Sequence, residues 1–271
     1  MGTYRPLKFL MRTTLIYDAH GYLGNNPVWA QTGLPVPFEG PDWIEMMDRT
    51  GVDGALVAPP GVGAPDDYIP DMDRIAAAIK KFPDRIFGMC RLKPSQGQKA
   101  LDQLRFRVGE QGFHALKMNT ADDNYRLDDR RLLDPIFELA AELGILMYFH
   151  TGDSHGETCQ PSMVADVAVD FPSANFSIGH CGYPGWTDQI VPALRKAPNA
   201  RAETAGLFSP AAIQGIIDEV GADRIMIGSN GPNSPIDLPH IMVNKHMNKL
   251  TDQEKALVVG GNFRRAIRLD N

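Results

Sequence analysis

Eight short apolar runs, each closed by a turn or breaker and followed by a segment of helical character, constrain this chain more than any other feature. They are 14–18 (TLIYD), 54–58 (GALVA), 86–90 (IFGMC), 115–118 (ALKM), 144–152 (GILMYFHTG), 175–179 (NFSIG), 200–204 (ARAET) and 225–228 (IMIG). Most are continuously apolar, as expected of strands buried in a parallel sheet. Between them lie helical patterns, such as the stripe Met72, Ile75, Ala76 and Ile79 and the stripe Ile213, Ile216, Ile217 and Val220. Further helices are expected over 43–50, 95–110, 132–143, 161–170, 186–196 and 239–268.

The strand ends recur at roughly 24 to 40 residues, the rhythm of a (β/α)8 TIM barrel. A doubly wound open sheet is the alternative, but no G-x-G-x-x-G follows the first run. No linker or composition break divides residues 1–271, so one α/β TIM-barrel domain is expected.

Bulk properties exclude several function classes. A net charge of -6, without a dense basic run, argues against nucleic acid or an anionic membrane as partner. Cys90, Cys159 and Cys181 form no C-x-x-C pair, which fits a reducing, cytoplasmic location. The start lacks a signal-peptide core, Pro6 breaks the myristoylation pattern, and no stretch has the apolar length of a bilayer span.

In a barrel all strand carboxyl ends open to one mouth, so residues distant in sequence meet there. The expected ring is His20 and Tyr22 after the first strand, Arg91 after the third, Lys117 on the fourth, His150 after the fifth, His180 after the sixth, Glu203 and Thr204 on the seventh, and Asn230 after the eighth. Trp29 lies in the long Gly- and Pro-rich loop 21–40, of the kind that covers or binds a ligand. Imidazoles titrate near neutral pH and serve acid/base chemistry. Arg91 either binds a substrate carboxylate or braces a loop; Lys117 either pairs with Glu203 or meets a substrate carboxylate or carbonyl. Cys181 is a nucleophile or a small apolar residue. His155 is near enough in sequence to reach the mouth, whereas His114, His240 and His246 read as peripheral.

The segments DAHGYLG (18–24), GFHALKMNT, MYFHTG, FPSANFSIGHCG, ARAETAG, GADRIMIGSNGP and GNFRRAIRL carry a resemblance across 18–268. In their order and spacing the chain resembles the amidohydrolase-related family, in its aminocarboxymuconate-semialdehyde decarboxylase-like branch. That resemblance implies one divalent metal, usually zinc, held by an H-x-H pair after strand one, a histidine after strand five and an aspartate after strand eight, with a strand-six histidine as acid or base. Residue by residue, it makes His20 and His150 metal ligands and His180 the acid/base. Tyr22 stands where the second histidine of the pair would be, and Asn230 where the aspartate would be, so the metal site reads as degenerate and no metal at all is the other expectation. The implied function is a small-molecule lyase or hydrolase acting on a cyclic or unsaturated, anionic substrate by decarboxylation or by lactone or amide hydrolysis. His180, His150, Tyr22 and Asn230 are its catalytic residues, with Arg91, Lys117, Glu203 and Trp29 binding substrate. The alternative is a ligand-binding pseudoenzyme that has lost its metal. A homodimer is the assembly that the resemblance implies.

Overall fold

The computed structural model describes residues 14–61, 67–152 and 157–269. Its strands are β1 (Tyr17–Tyr22), β2 (Gly54–Ala58), β3 (Ile86–Arg91), β4 (Ala115–Met118), β5 (Leu146–His150), β6 (Asn175–Gly179), β7 (Ala200–Glu203) and β8 (Ile225–Met226). Each pairs in parallel with the next, in sequence order. Around them lie α1 (Gly40–Thr50), α2 (Ile69–Lys81), α3 (Gln98–Gln111), α4 (Arg130–Leu143), α5 (Pro161–Asp170), α6 (Ile190–Lys196) and α7 (Pro210–Val220), then the shorter α8 (Leu238–His246), α9 (Asp252–Ala256) and α10 (Asn262–Ala266). This is the expected (β/α)8 barrel. Every residue of β2, β3 and β4 is buried, because barrel filling covers one face and helices cover the other.

The ring closes between β1 and β8. Ala19 N–H donates to the Ile227 carbonyl at 3.0 Å, Asn230 N–H to the His20 carbonyl at 2.9 Å, and Tyr22 N–H to the Gly231 carbonyl at 2.7 Å. Beneath them the buried Asp18 carboxylate accepts from the backbone N–H of Ser229 at 2.9 Å and of His20 at 3.1 Å, and from the Ser229 hydroxyl. One carboxylate thus clasps the first strand to the last.

Two expectations need correction. The first strand lies later than 14–18: Leu15 is 45% exposed, and pairing with β2 starts at Tyr17. Its register slips between Asp18 and Gly21, a bulge that keeps His20 and Tyr22 inside the strand instead of after it. The stretch 239–268 is not one helical run. Thr251 caps α9 in a reciprocal box with Glu254, and a π turn at Leu257–Gly261 separates α9 from α10. Among the described residues no helix is long and apolar enough to cross a membrane.

Burial raises the Asp18 carboxyl from 3.8 to about 7, against the opposing pull of its Ser229 and His20 hydrogen bonds. The folded state therefore holds a proton that the unfolded chain releases, and the stability from this group is full below pH 4 and lost as pH rises through about 7. Asp18→Asn should flatten that dependence. Denaturant unfolding between pH 4 and pH 8 is expected to show the wild type losing on the order of a few kcal/mol relative to the variant, and parallel curves would overturn the assignment.

Candidate active site

The mouth of the barrel is organised by a buried carboxylate. Glu203, the last residue of β7, accepts from the Tyr148 hydroxyl at 2.7 Å, from the His180 backbone N–H at 3.2 Å and from the Ala205 backbone N–H. A Cβ on Gly228 would overlap its Oε1, so strand eight can pass only with glycine at that position. Burial raises the Glu203 carboxyl, and these donors, with the charge of Lys117, pull it back.

His20 stands between Glu203 and Lys117. Its Nδ1 lies 3.8 Å from Glu203 Oε2, and its Nε2 lies 2.6 Å from Lys117 Nζ. The His20 ring stacks on Tyr148 at 4.6 Å between centroids, and Lys117 Nζ sits 4.2 Å from the centre of the same Tyr148 ring. Burial, reinforced by neighbouring cationic groups, holds both His20 and Lys117 well below their ordinary values.

His180 and Cys181 follow β6 with φ of 60° and 48°, a left-handed corner that non-glycine residues rarely adopt and that often marks functional sites. The corner turns the His180 ring back over the mouth. Its Nδ1 meets the Ala205 carbonyl at 2.8 Å and its Nε2 meets His150 Nδ1 at 3.1 Å. A carbonyl only accepts, so Nδ1 of His180 carries the proton. In the neutral ring, Nε2 then accepts from His150 Nδ1. His150, at the end of β5, lines a cleft of about 220 Å³ together with Tyr22, Asn26, Asn119, Asp122, Asn230 and Asn233.

The structure brings His20, Tyr22, Lys117, His150, His180, Glu203 and Asn230 to one mouth, and it redirects several of them. Arg91 is fully buried and held by Asp122 Oδ2 at 2.8 Å and Asp123 Oδ2 at 3.1 Å, with its guanidinium 4.6 Å from the Tyr68 ring centre. Of the two readings of Arg91, the loop brace describes its contacts. Lys117 touches His20, and among the described residues no direct ion pair joins it to Glu203. Trp29 is buried and donates from Nε1 to Asn233 Oδ1 at 2.7 Å, so it meets the cleft through Asn233. Burial raises the Tyr22 phenol, which disfavours an anionic oxygen there. Cys181 is fully buried with its thiol pushed well up, the behaviour of a small apolar residue. Asn230 sits at φ 67° with Oδ1 buried and without a hydrogen-bond partner. His155 lies outside the described residues. His114 packs edge-on against Phe87 below the mouth, and His240 and His246 belong to α8.

Asp18, Tyr148, Asp122 and Asn233 are the participants missed from sequence. Tyr148 had a usable signal, since it precedes His150 by two and β alternation puts both on one face. The Asp122 contacts span a loop and had none.

Donor atoms of His20, His150 and His180 all lie within 4.8 Å of one another. Three imidazoles form a set able to hold a divalent cation, and the unpartnered His20 Nδ1 and Asn230 Oδ1 beside them are polar atoms still owed a partner. The set differs from the expected one, because His180 joins His20 and His150 as a third donor.

The barrel is similar to known enzymes. The 5-carboxyvanillate decarboxylase of Sphingomonas paucimobilis superposes with a TM-score of 0.75 at 17% identity, covering 94% of this chain and 99% of that one. The 2,6-dihydroxybenzoate decarboxylase of Rhizobium gives 0.73 at 18% identity, with 95% and 100% covered. A dihydroxybenzoic acid decarboxylase from Polaromonas sp. JS666, solved with manganese and the inhibitor 2-nitroresorcinol, gives 0.72 at 17%, with 95% and 98% covered. No curated protein sequence matches the chain. The sequence pattern described as amidohydrolase matches residues 18–269, almost the whole described barrel, and the chain is therefore an enzyme of the amidohydrolase family.

Proposed function

We propose that this enzyme is a small-molecule lyase or hydrolase that moves protons through the His150 and His180 pair, acting on a cyclic or unsaturated substrate by decarboxylation or by lactone or amide hydrolysis. The single observation that carries the reading is the directed hydrogen bond from His150 Nδ1 to His180 Nε2, fixed by the Ala205 carbonyl behind it. His150 lines the cleft. A proton taken up by His150 from a cleft-bound group is relayed by moving its Nδ1 proton to His180. The imidazolium so formed keeps its Nδ1 bond to Ala205 and lies in the field of the Glu203 carboxylate, which anchors the His180 backbone. Donation back follows the same line in reverse, as a single pair acting first as base and then as acid requires.

In place of the direct His150–His180 hydrogen bond, His20, His150 and His180 would hold a divalent cation, and zinc suits three imidazole donors better than manganese does. Such an ion supplies Lewis-acid polarisation of a carbonyl or carboxylate. The chain's own contribution is the tautomer and placement of each imidazole, set by Lys117, Glu203 and Ala205.

Arg91 and Lys117, the two cations on which the expectation of an anionic substrate rested, both contact buried protein groups.

His180→Ala and His150→Ala should each lower kcat by about 10²- to 10⁴-fold, the usual contribution of a positioned acid/base. Steady-state kinetics on hydroxybenzoate decarboxylation and lactone hydrolysis would reveal this; undiminished turnover in either variant would sink the relay. A second expectation concerns the imidazole triad. Chelator-stripped protein titrated with zinc should rise in Tm with the logarithm of zinc concentration, as binding to the folded state alone requires. His20→Ala should abolish the rise, and an unresponsive wild type would remove the triad as a cation site.

A further inference from the structure

Two asparagines in the lining of the cleft are turned by protein donors so that their amide nitrogens are left for a ligand. Trp29 Nε1 donates to Asn233 Oδ1 at 2.7 Å, and the Val28 backbone N–H donates to Asn26 Oδ1 at 3.0 Å. Indole and backbone N–H groups only donate, so both bonds require the amide oxygen and fix which way each amide faces. The polar atom that remains on each side chain is Nδ2, with two protons to give. Among the described residues no acceptor takes either nitrogen, although Asn26 is buried and both residues line the cleft with His150. One turn sets both amides. Asn26 caps the 3-10 turn Pro27–Thr32, the Trp29 backbone N–H returns to the Asn26 carbonyl at 3.0 Å, and the buried Trp29 ring reaches Asn233. Asp122, the carboxylate of the same lining, takes the Arg91 guanidinium at 2.8 Å and Asn119 Nδ2 at 2.7 Å on Oδ2, so its partners are a cation and a different amide.

We infer that Asn26 and Asn233 are specificity-determining residues, whose Nδ2 groups hold an acceptor oxygen of the substrate, and that Trp29 is the positioning residue for the Asn233 amide. The oxygen is of the carboxylate or carbonyl type, because such an oxygen takes N–H donors near its plane on either lone pair. A substrate gripped by that oxygen is held in the cleft that His150 lines. The inference rests on the acid/base reading of the same cleft and adds to it the group by which the substrate is held.

Isothermal titration of the full-length protein with benzoate, methyl benzoate and aniline tests this. The first two bring an acceptor oxygen, and aniline brings donors alone. Tighter binding of benzoate identifies a carboxylate as the group held, and tighter binding of methyl benzoate identifies a carbonyl; either supports the inference. Asn233→Asp and Asn26→Asp each keep an oxygen for the internal bond and remove the two donors. Each should weaken the preferred ligand by about tenfold, the size of one good hydrogen bond, and leave aniline no weaker. Trp29→Phe, which keeps a ring and loses the N–H, should weaken that ligand severalfold in the wild-type background and add nothing to Asn233→Asp, since the two act through one amide. Failure of the wild type to bind either benzoate or methyl benzoate overturns the inference without reliance on any variant. So does an unchanged affinity in the folded Asn→Asp proteins, or an equal loss of aniline, which marks a merely structural role. His180→Ala separates the two readings. Lost turnover in His180→Ala with unchanged ligand affinity in Asn233→Asp defeats only the amide inference, whereas full turnover in His180→Ala with weakened affinity in Asn233→Asp defeats only the relay.

Discussion

The geometry of the mouth depends on one buried negative charge being satisfied. A carboxylate removed from water is costly unless hydrogen bonds replace its hydration. Glu203 meets that demand with donors from three places in the chain: the Tyr148 hydroxyl of β5, the His180 N–H after β6 and the Ala205 N–H after β7. Each bond also fixes a functional group. Tyr148 carries the face on which His20 stacks, the His180 N–H sets the left-handed corner, and Ala205 holds the His180 tautomer through its carbonyl. Lys117 lies 2.6 Å from His20, and burial with this neighbouring cationic group holds the imidazole well below its ordinary value.

Charge is segregated across the mouth. Lys117 is sunk below the reacting histidines, and Arg91 is locked to one side by Asp122 and Asp123, with Tyr68 beneath. The resulting cleft is lined by amides, a phenol, an imidazole and one half-used carboxylate.

Much of the fold was legible because continuous apolar runs of strand length, spaced by helical stripes, have few other solutions. The convergence of His20, His150 and His180 was legible for the same reason, since barrel topology alone puts strand ends together. What was not legible was direction. The bulge in β1 follows from pairing with β2 and leaves no trace in YDAHGY. Arg91 read equally as a ligand for anions or a loop brace, because its partners, Asp122 and Asp123, lie 31 and 32 residues away on a loop. A positive side chain at a strand end reads identically whether it faces ligand or protein, and only the partner decides.

Asn230 shows how one residue can serve both the barrel and its cleft. Its backbone sits at φ 67°, where asparagine is among the few non-glycine residues tolerated, and its N–H closes the barrel against the His20 carbonyl. An aspartate could hold the same corner but would add a second negative charge beside Asp122 in one small cleft. Asparagine keeps an acceptor aimed at the same space without that repulsion. The Asn230 backbone and side chain thus serve the closure of the barrel and the lining of the cleft at once.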